Sequence, residues 1–494
     1  MIPEEVARRE RLQLLRDQGV NPYPAKSNRT HNISDVLDNF DTLFDSKEPV
    51  TLCGRVRSNR KHGGLSFVTL EDASGKMQIV LHRDVIGAEA YQSFHSHIDV
   101  ADFLSFTGPA FKTQKGERSI EAQKYAILSK SLLPLPEKWH GLTDTEKRYR
   151  QRYLDFIAND LSVEFAKSRA RLVSAIRTFV EAEGFMEVET PVLQPIPGGA
   201  NARPFITHHN ALDTDFFLRI APELYLKRLI VGGFEKVFEF ARCFRNEGIS
   251  TQHNPEFTQV EAYWAYATVE NLMDHLERMF LFALEEVTGG NILKIGDHDT
   301  KISLPLPRMT FHNAVLKETG IDLDEFTDEA ALRTVMSQKG IKVDDVIGYG
   351  DLVDHLYKKE VRPKLVDPVF ITDYPSAMIP LAKRRGDSHY AAMAQLLVNG
   401  LELCKAYNEQ NDPLEQEAAF AEQERLRERG SDEAQFVDED YLEALKHGMP
   451  PTAGYGIGID RLAMVLTNAP NLKEVILFPT LKPVDTEEGL EDRG

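Results

Sequence analysis

Between Val50 and about Leu135 the chain runs through short stretches of alternating apolar and polar residues. They are VTLCGRVRS, GLSFVTLED, KMQIVLHRD and DFLSFTGPAF, broken by GG, SG and KG turns. This pattern constrains the fold most, because strands so close in sequence, with no helices between them, must pair with one another. The stretch has the size of a five-stranded OB-type barrel, and an SH3-like barrel or a sandwich fits the spacing as well. From Leu154 onward, helical and extended patterns mix without strict βαβα alternation, which favours an α+β domain over a doubly wound one.

The expected organisation follows. Residues 1–48 hold a helical segment, with helical periodicity over 3–18 ending before Gly19 and NPYPAK; 49–135 form the β unit. Residues 136–153, with their prolines and the basic run Lys147, Arg148, Arg150 and Arg152, read as a linker, and 154–494 form a second domain with a helical insertion at about 290–365. Helices are expected near Phe165–Gly184, 270–288 and 327–358, with FMEVETP extended before Pro191. A length of 494 residues allows two to four such domains at roughly 100–200 residues each.

The net charge of −19 excludes a wholesale basic coat for nucleic acid or anionic membranes, leaving local patches. Cys53, Cys243 and Cys404 lie far apart in apolar runs, so buried thiols are expected rather than a zinc site or a disulfide framework. The charged N-terminus lacks an apolar signal core and no run has the ~18 apolar residues of a membrane helix, so a cytoplasmic protein is expected.

Three segments concentrate chemistry. In the hairpin FRNEGISTQHNPEFTQVEAY the strand period places Phe257, Glu261 and Tyr263 on one face, and Arg245 shares a face with Glu239 and Cys243. That face either carries an Arg245–Glu261 pair on a solvated surface or presents an arginine, a glutamate and aromatic plates to a ligand. PTAGYGIGIDRLAMVL reads as a glycine-rich strand running into a helix that Asp460 can cap, with Arg461 in its first turn as a triphosphate contact. Its GxGxG spacing is a poor dinucleotide fingerprint. In NGLELCKAYNEQNDP, Lys405, Tyr407 and Glu409 share a face, with Glu402 out of phase unless a bulge intervenes. Carboxylates there can hold Mg²⁺ between triphosphate oxygens, or be ordinary surface acids.

Together these segments resemble motifs 2 and 3 of the class II aminoacyl-tRNA synthetases, with the acidic strand between them. FMEVETP is similar to the end of motif 1, whose preceding helix forms the dimer interface in that class. GGANARPF, APELYLKR and RYRQRYLDFIAN resemble the lysyl branch in particular, and the similarity runs from about residue 5 to 484.

The resemblance implies an N-terminal OB-fold that binds the anticodon, joined to a catalytic domain on an antiparallel sheet flanked by helices. It implies lysine attachment to tRNA(Lys) through a lysyl-adenylate, with ATP as substrate, Mg²⁺ as cofactor and a homodimer as the assembly. By the same resemblance, Arg245 and Arg461 are catalytic, and Arg245, Glu247, His253, Phe257, Glu402 and Arg461 bind ATP. Glu223, Arg245, Glu261, Tyr263, Tyr407 and Glu409 bind lysine. Glu402 is the metal residue, with Gln395 where a second metal-binding glutamate is usual. Arg60, Phe67, Gln78 and Glu117 match anticodon-reading positions, in a stretch that also carries Arg55, Arg57 and Lys61.

The sequence departs from the family at three places. Lys405 replaces an asparagine and either pairs with Glu409 or turns toward the phosphates. Gln395 lies in AAMAQ in place of a glutamate-arginine-phenylalanine signature, which leaves the number of Mg²⁺ ions open. Gln252 replaces a usual arginine. The aspartate or asparagine branch is disfavoured by an acidic pocket that repels an acidic substrate. A non-catalytic RNA-binding paralogue is favoured by Lys405 and Gln395 and opposed by Arg245, Phe257, Glu402 and Arg461. A protein-lysylating relative usually lacks the N-terminal β unit.

Overall fold

A computed structural model describes residues 2–136, 142–343, 346, 348–428 and 436–483. The chain divides into two units, one running to Ala158 and one spanning Asn159–Lys482.

In the first unit, helix α1 (Pro3–Asp17) buries Leu12 and Leu15 and begins with Pro3 and two acids, as a helix N-terminus favours. Seven strands follow: β1 (Val50–His62), β2 (Leu65–Asp72), β3 (Gly75–His82), β4 (Phe103–Gly108), β5 (Ala110–Lys112), β6 (Arg118–Glu121) and β7 (Lys124–Ser129). They form one sheet of order β5-β6-β3-β2-β1-β4-β7. The segment joining β6 to β7 ties its two halves together, with Ala122 N donating to Val80 O on β3 (2.9 Å) and Gln123 N to Thr107 O on β4 (2.8 Å). The sheet therefore returns on itself around a core that includes Val56, Val68, Leu70, Ile79, Leu104 and Phe106. This is the OB-type arrangement among the alternatives that the spacing left open.

The stretch expected as a linker contains helix Thr145–Arg150, capped by the Asp144 side chain, and helix Arg152–Ala158 follows it within the first unit. Arg148 and Arg152 both close on the buried Asp155 (2.8 Å each), one across the two helices and one within the second, and these pairs give the basic run a reason to fold. Residues 137–141 and 484–494 of the expected domains lie outside the described residues.

The second unit is built on an eight-stranded sheet. Its strands are β8 (Met186–Glu187), β9 (Lys236–Phe244), β10 (Glu256–Ala265), β11 (Arg308–Thr310), β12 (Val369–Pro375), β13 (Tyr390–Val398), β14 (Leu401–Asn408) and β15 (Thr452–Gly458). The order is β11-β12-β13-β14-β15-β10-β9-β8, antiparallel except for the two edge pairs. Helices α2 (Asp160–Ala182), α3 (Glu223–Val231), α4 (Val269–Thr288) and α5 (Ile459–Leu466) flank it. Side chains such as Leu172 and Ile176 of α2, Leu276 and Phe280 of α4 and Leu462 of α5 cover one face, against Val260, Leu396, Cys404 and Ile457. The opposite face carries α3 and the helices of the 290–365 insertion, packed around Tyr263, Met393 and Tyr407. That insertion also holds strands at Ile292–Ile295, His298–Lys301 and Arg308–Thr310, and its expected helix is two, Glu329–Gln338 and Tyr349–Leu356.

All three cysteines are free; Cys243 and Cys404 are buried and Cys53 is half-buried, a smaller degree of burial than expected. Among the described residues no helix is long and apolar enough to cross a membrane.

Candidate functional site

β10, β15 and β14 lie side by side, and their register fixes what faces the second layer. Tyr263 pairs with Gly454 and Gly454 with Tyr407; one pleat on, Glu261 pairs with Gly456 and Gly456 with Lys405. The central strand contributes only glycine to this face, so the floor between the flanking strands stays low. A cavity of about 850 Å³ opens over it, lined among others by Glu223, Arg245, Phe257, Glu261, Glu402 and Arg461.

Glu402 reaches this face through a bulge. Leu396 pairs with Cys404 but Leu397 with Glu402, so Leu403 is the extra residue that shifts the phase of β14. Glu402 Oε2 accepts from Gln395 Nε2 (2.7 Å), and Gln395 Oε1 in turn accepts from the Tyr374 hydroxyl (2.6 Å). Burial pushes the Glu402 carboxyl up, but Lys405, Arg461, Arg362 and Lys358 outweigh it and hold the group below the ordinary carboxylate range.

Toward Glu409 the charge reverses. Glu261 is buried, accepting from Gln259 Nε2 (2.6 Å) and the Tyr263 hydroxyl (3.0 Å). Glu223 is buried and accepts from the Tyr407 hydroxyl (2.8 Å) and from Lys227 Nζ (2.6 Å). Lys227 also pairs with Glu409, whose Oε1 has no hydrogen-bond partner. Glu409 Oε1 lies over Gly454 and, unlike the other expected lysine-binding residues, Glu409 does not line the cavity.

Two carboxylates, Glu223 and Glu409, thus share one ammonium, with Glu261 buried nearby. Burial alone pulls Lys227 down, but Glu223 and Glu409 raise it above its ordinary value. Burial raises Glu261 well above the carboxylate range, and Glu223 adds to the effect. Burial likewise pushes Glu409 up to about 8, against the pull of Lys227.

Arg245 does not pair with Glu261 on a solvated surface. Its guanidinium lies over the Phe257 ring, 5.0 Å from the centroid, and its Nε is buried without a hydrogen-bond partner. Glu239, on the same strand face, is taken by Arg219 (2.5 Å) and Thr190 (2.6 Å). Arg461 Nη2 donates to His253 Nε2 (3.0 Å), and partial desolvation against the cavity wall together with that cation keeps the imidazole below its ordinary value although the side chain reaches solvent. Glu247 and His253 are exposed at the rim. Asp460 does not cap α5, whose N-cap is Gly458; its carboxylate binds Arg169 (2.7 Å) and the Thr258 amide (3.0 Å), tying helix and hairpin together.

An arginine and aromatic hairpin, a glycine-floored sheet and a strand-to-helix arginine in one cavity are the features that the sequence segments share with one family. The family of tRNA synthetases class II (D, K and N) matches residues 144–482, and an OB-fold nucleic acid binding domain matches residues 50–128. The chain belongs to the class II tRNA synthetases of the D, K and N group.

A lysine–tRNA ligase of Carboxydothermus hydrogenoformans is 46% identical over 481 residues, covering 97% of this chain and 98% of that protein. A lysine–tRNA ligase of Dehalococcoides mccartyi (strain BAV1) is 47% identical over 490 residues, with 97% and 98% covered. One of Roseiflexus sp. (strain RS-1) is 46% identical over 477 residues, with 96% and 98% covered.

Within this synthetase site, Lys227 and Gln259 are the residues that sequence reasoning missed. Lys227 stands four residues after Glu223 on α3, a spacing that brings the two side chains together. That spacing was the available signal. Gln259 shares the strand face of Glu261 by the period of two.

In the OB-fold unit, Arg60 pairs across the strands with Phe67, and Thr69 with Gln78. Phe67 is half-exposed, on the opposite side of β2 from the buried Val68 and Leu70. Gln78 Nε2 donates to Ser119 Oγ (2.9 Å), and Glu117 is exposed in the loop before β6. The other basic residues of that stretch have partners elsewhere: Arg57 with Glu71 (2.8 Å), Arg55 over the Phe103 ring (4.2 Å), and Lys61 over the Tyr91 ring (5.9 Å). Arg60 alone among them has no partner among the described residues.

Proposed function

We propose that this chain is a lysine–tRNA ligase, forming lysyl-adenylate from lysine and ATP and passing the lysyl group to tRNA(Lys). The sorting of charge in the cavity carries this reading. Glu223, Glu261 and Glu409 exceed Lys227 by two charges when ionised, and lysine brings two ammonium groups. Its single carboxylate has Arg245 to meet, whose buried Nε has no protein partner. An apolar amino acid would leave these carboxylates unpaired and an acidic one would be repelled.

In the chemical step the lysine carboxylate attacks the α-phosphorus in line and pyrophosphate leaves. A terminal ribose hydroxyl of the tRNA then attacks the adenylate carbonyl, and AMP leaves. The protein positions these groups and offers no nucleophile of its own. Arg245 holds the lysine carboxylate against the α-phosphate, with a fork that suits both. Phe257 stacks on adenine, Glu247 bonds near its edge, Arg461 covers the other face toward the γ-phosphate, and His253 lies near the triphosphate. Glu402, with one carboxylate oxygen not bonded to Gln395, fits a single Mg²⁺ arriving on the nucleotide, which when bound supplies further positive charge to the phosphates. Gln395, bonded at both ends of its amide, is not a second carboxylate ligand.

The assembly proposed is a homodimer through α2 and the edge strand β8, where Leu161 and Met186 are exposed, in the cytoplasm. The test is lysine-dependent ATP–pyrophosphate exchange with Mg²⁺ against all twenty amino acids. Exchange with lysine alone supports the reading, and none in folded protein ends it.

Two further outcomes are expected. Lysine binding draws raised carboxyls into their ionised form, so it releases protons, and lysine affinity rises with pH up to about 8. Calorimetry in two buffers of different ionisation enthalpy measures that release; proton uptake would contradict it. Phe67→Ala weakens tRNA(Lys) binding by about 10- to 100-fold, the worth of one base stacked on an aromatic ring, and leaves pyrophosphate exchange unchanged. A filter-binding titration against the unmodified protein measures this.

A further inference from the structure

We propose that the Lys405 ammonium binds the triphosphate of ATP and supplies there the positive charge that a second divalent cation would bring. The proposal rests on the ATP-dependent reading above and concerns the phosphate end of the same cavity.

Lys405 lies on β14 with its register fixed on both sides. One neighbour is Gln395, held at both ends of its amide by Tyr374 and Glu402. The other is Gly456, which has no side chain. The lysine is therefore neither blocked nor captured by its row. The ammonium site at Glu409 is already served from another element, by Lys227 of α3, so that carboxylate does not need Lys405. No hydrogen bond or ion pair within 4 Å holds the Lys405 ammonium among the described residues, although the side chain is half-buried and lines the cavity.

The surroundings fit a polyanion. Lys405, Arg245, Arg362 and Arg461 line this part of the cavity, with Lys358 paired to Asp354 (2.6 Å). Among them stands Glu402, which accepts from Gln395 Nε2. Among the described residues, three or more metal-ligating side chains converge only at His312, Asp322 and Asp324, outside this cavity. A site in which these five cations face Glu402, Asp351 and Asp354 neutralises a triphosphate mainly through its own side chains.

The test is a binding titration of the full-length protein with β,γ-methylene-ATP, in Mg²⁺ and in excess EDTA. The unmodified protein should lose less than about fivefold in affinity on metal removal. Lys405→Met should weaken binding in Mg²⁺ by about tenfold and lose at least about a further thirtyfold in EDTA. Lys405→Arg should restore the small ratio, which excludes a general folding defect. An equal metal ratio in Lys405→Met and the unmodified protein overturns the inference alone, as does a large ratio in the unmodified protein. Lysine-dependent exchange, measured in Mg²⁺ on the same preparations, reports separately on the parent reading. Absence of analogue binding in both buffers overturns the two together.

Discussion

Arg245→Lys lowers lysine-dependent ATP–pyrophosphate exchange by about 1,000-fold while leaving the protein folded. In the proposed mechanism the guanidinium meets the lysine carboxylate and the α-phosphate at once, and its buried Nε has no protein partner to lose. A lysine keeps the charge but not the planar fork, so it can satisfy one of the two anions in good geometry and not both. Contacts of this kind strengthen as charge builds on the transferring group, and removing a single such donor costs about 100- to 1,000-fold. Both the turnover number and the ratio kcat/KM should fall, with lysine KM changing less. A loss confined to KM would mean that Arg245 only binds substrate.

Gly454→Ala should abolish high-affinity lysine binding, weakening it by about 100-fold, and destabilise the protein by about 1–3 kcal/mol. A methyl group at this position would overlap Glu409 Oε1 and lie 2.5 Å from two ring carbons of Tyr263. Neither neighbour can retreat: Glu409 is 1% exposed and tied to Lys227, and Tyr263 is 3% exposed with its hydroxyl on Glu261. The contrast is Gly456→Ala, whose added carbon would stand 3.5 Å from Glu261 Cγ, an ordinary contact. Denaturant unfolding and lysine titration of the two variants separate a floor that must be flat from one that merely happens to be. Equal stability of the two would show that the Gly454 surroundings yield.

Both substitutions act on features of different visibility in the sequence. The hairpin was legible because strand alternation puts Phe257, Glu261 and Tyr263 on one face, and β9 and β10 do pair with Cys243 opposite Phe257. The glycine-rich strand leading into a helix was legible for the same local reason. Long-range partners were not. Asp460 stands in a good capping position by sequence, yet its acceptor capacity goes to Arg169 and Thr258, which only the packing of three elements brings within reach. Lys227 lies within APELYLKR, yet its second partner, Glu409, is far along the chain, so its part in the site is invisible locally. The segment 136–153 read as a linker because proline and charge dominate it, whereas the Arg148–Asp155 pair that ties its helix to the next depends on how the two helices pack. Family resemblance gave the domain order and the list of site residues, and the departures at Lys405 and Gln395 were visible only against it.

The bulge at Leu403 has a bearing on how such a site can change. It splices two half-strands out of step, one presenting Glu402 to the nucleotide end and the other carrying Lys405 beside that end and Tyr407 toward the amino acid. Because the extra residue absorbs the mismatch, the two halves answer to separate packing constraints. Substitutions after the splice can retune which amino acid is accepted without moving the nucleotide carboxylate. Deleting Leu403 would couple the halves again and turn one of the two sets into the core. The strand is in effect a hinge in sequence space, rigid in the folded protein and permissive in its history.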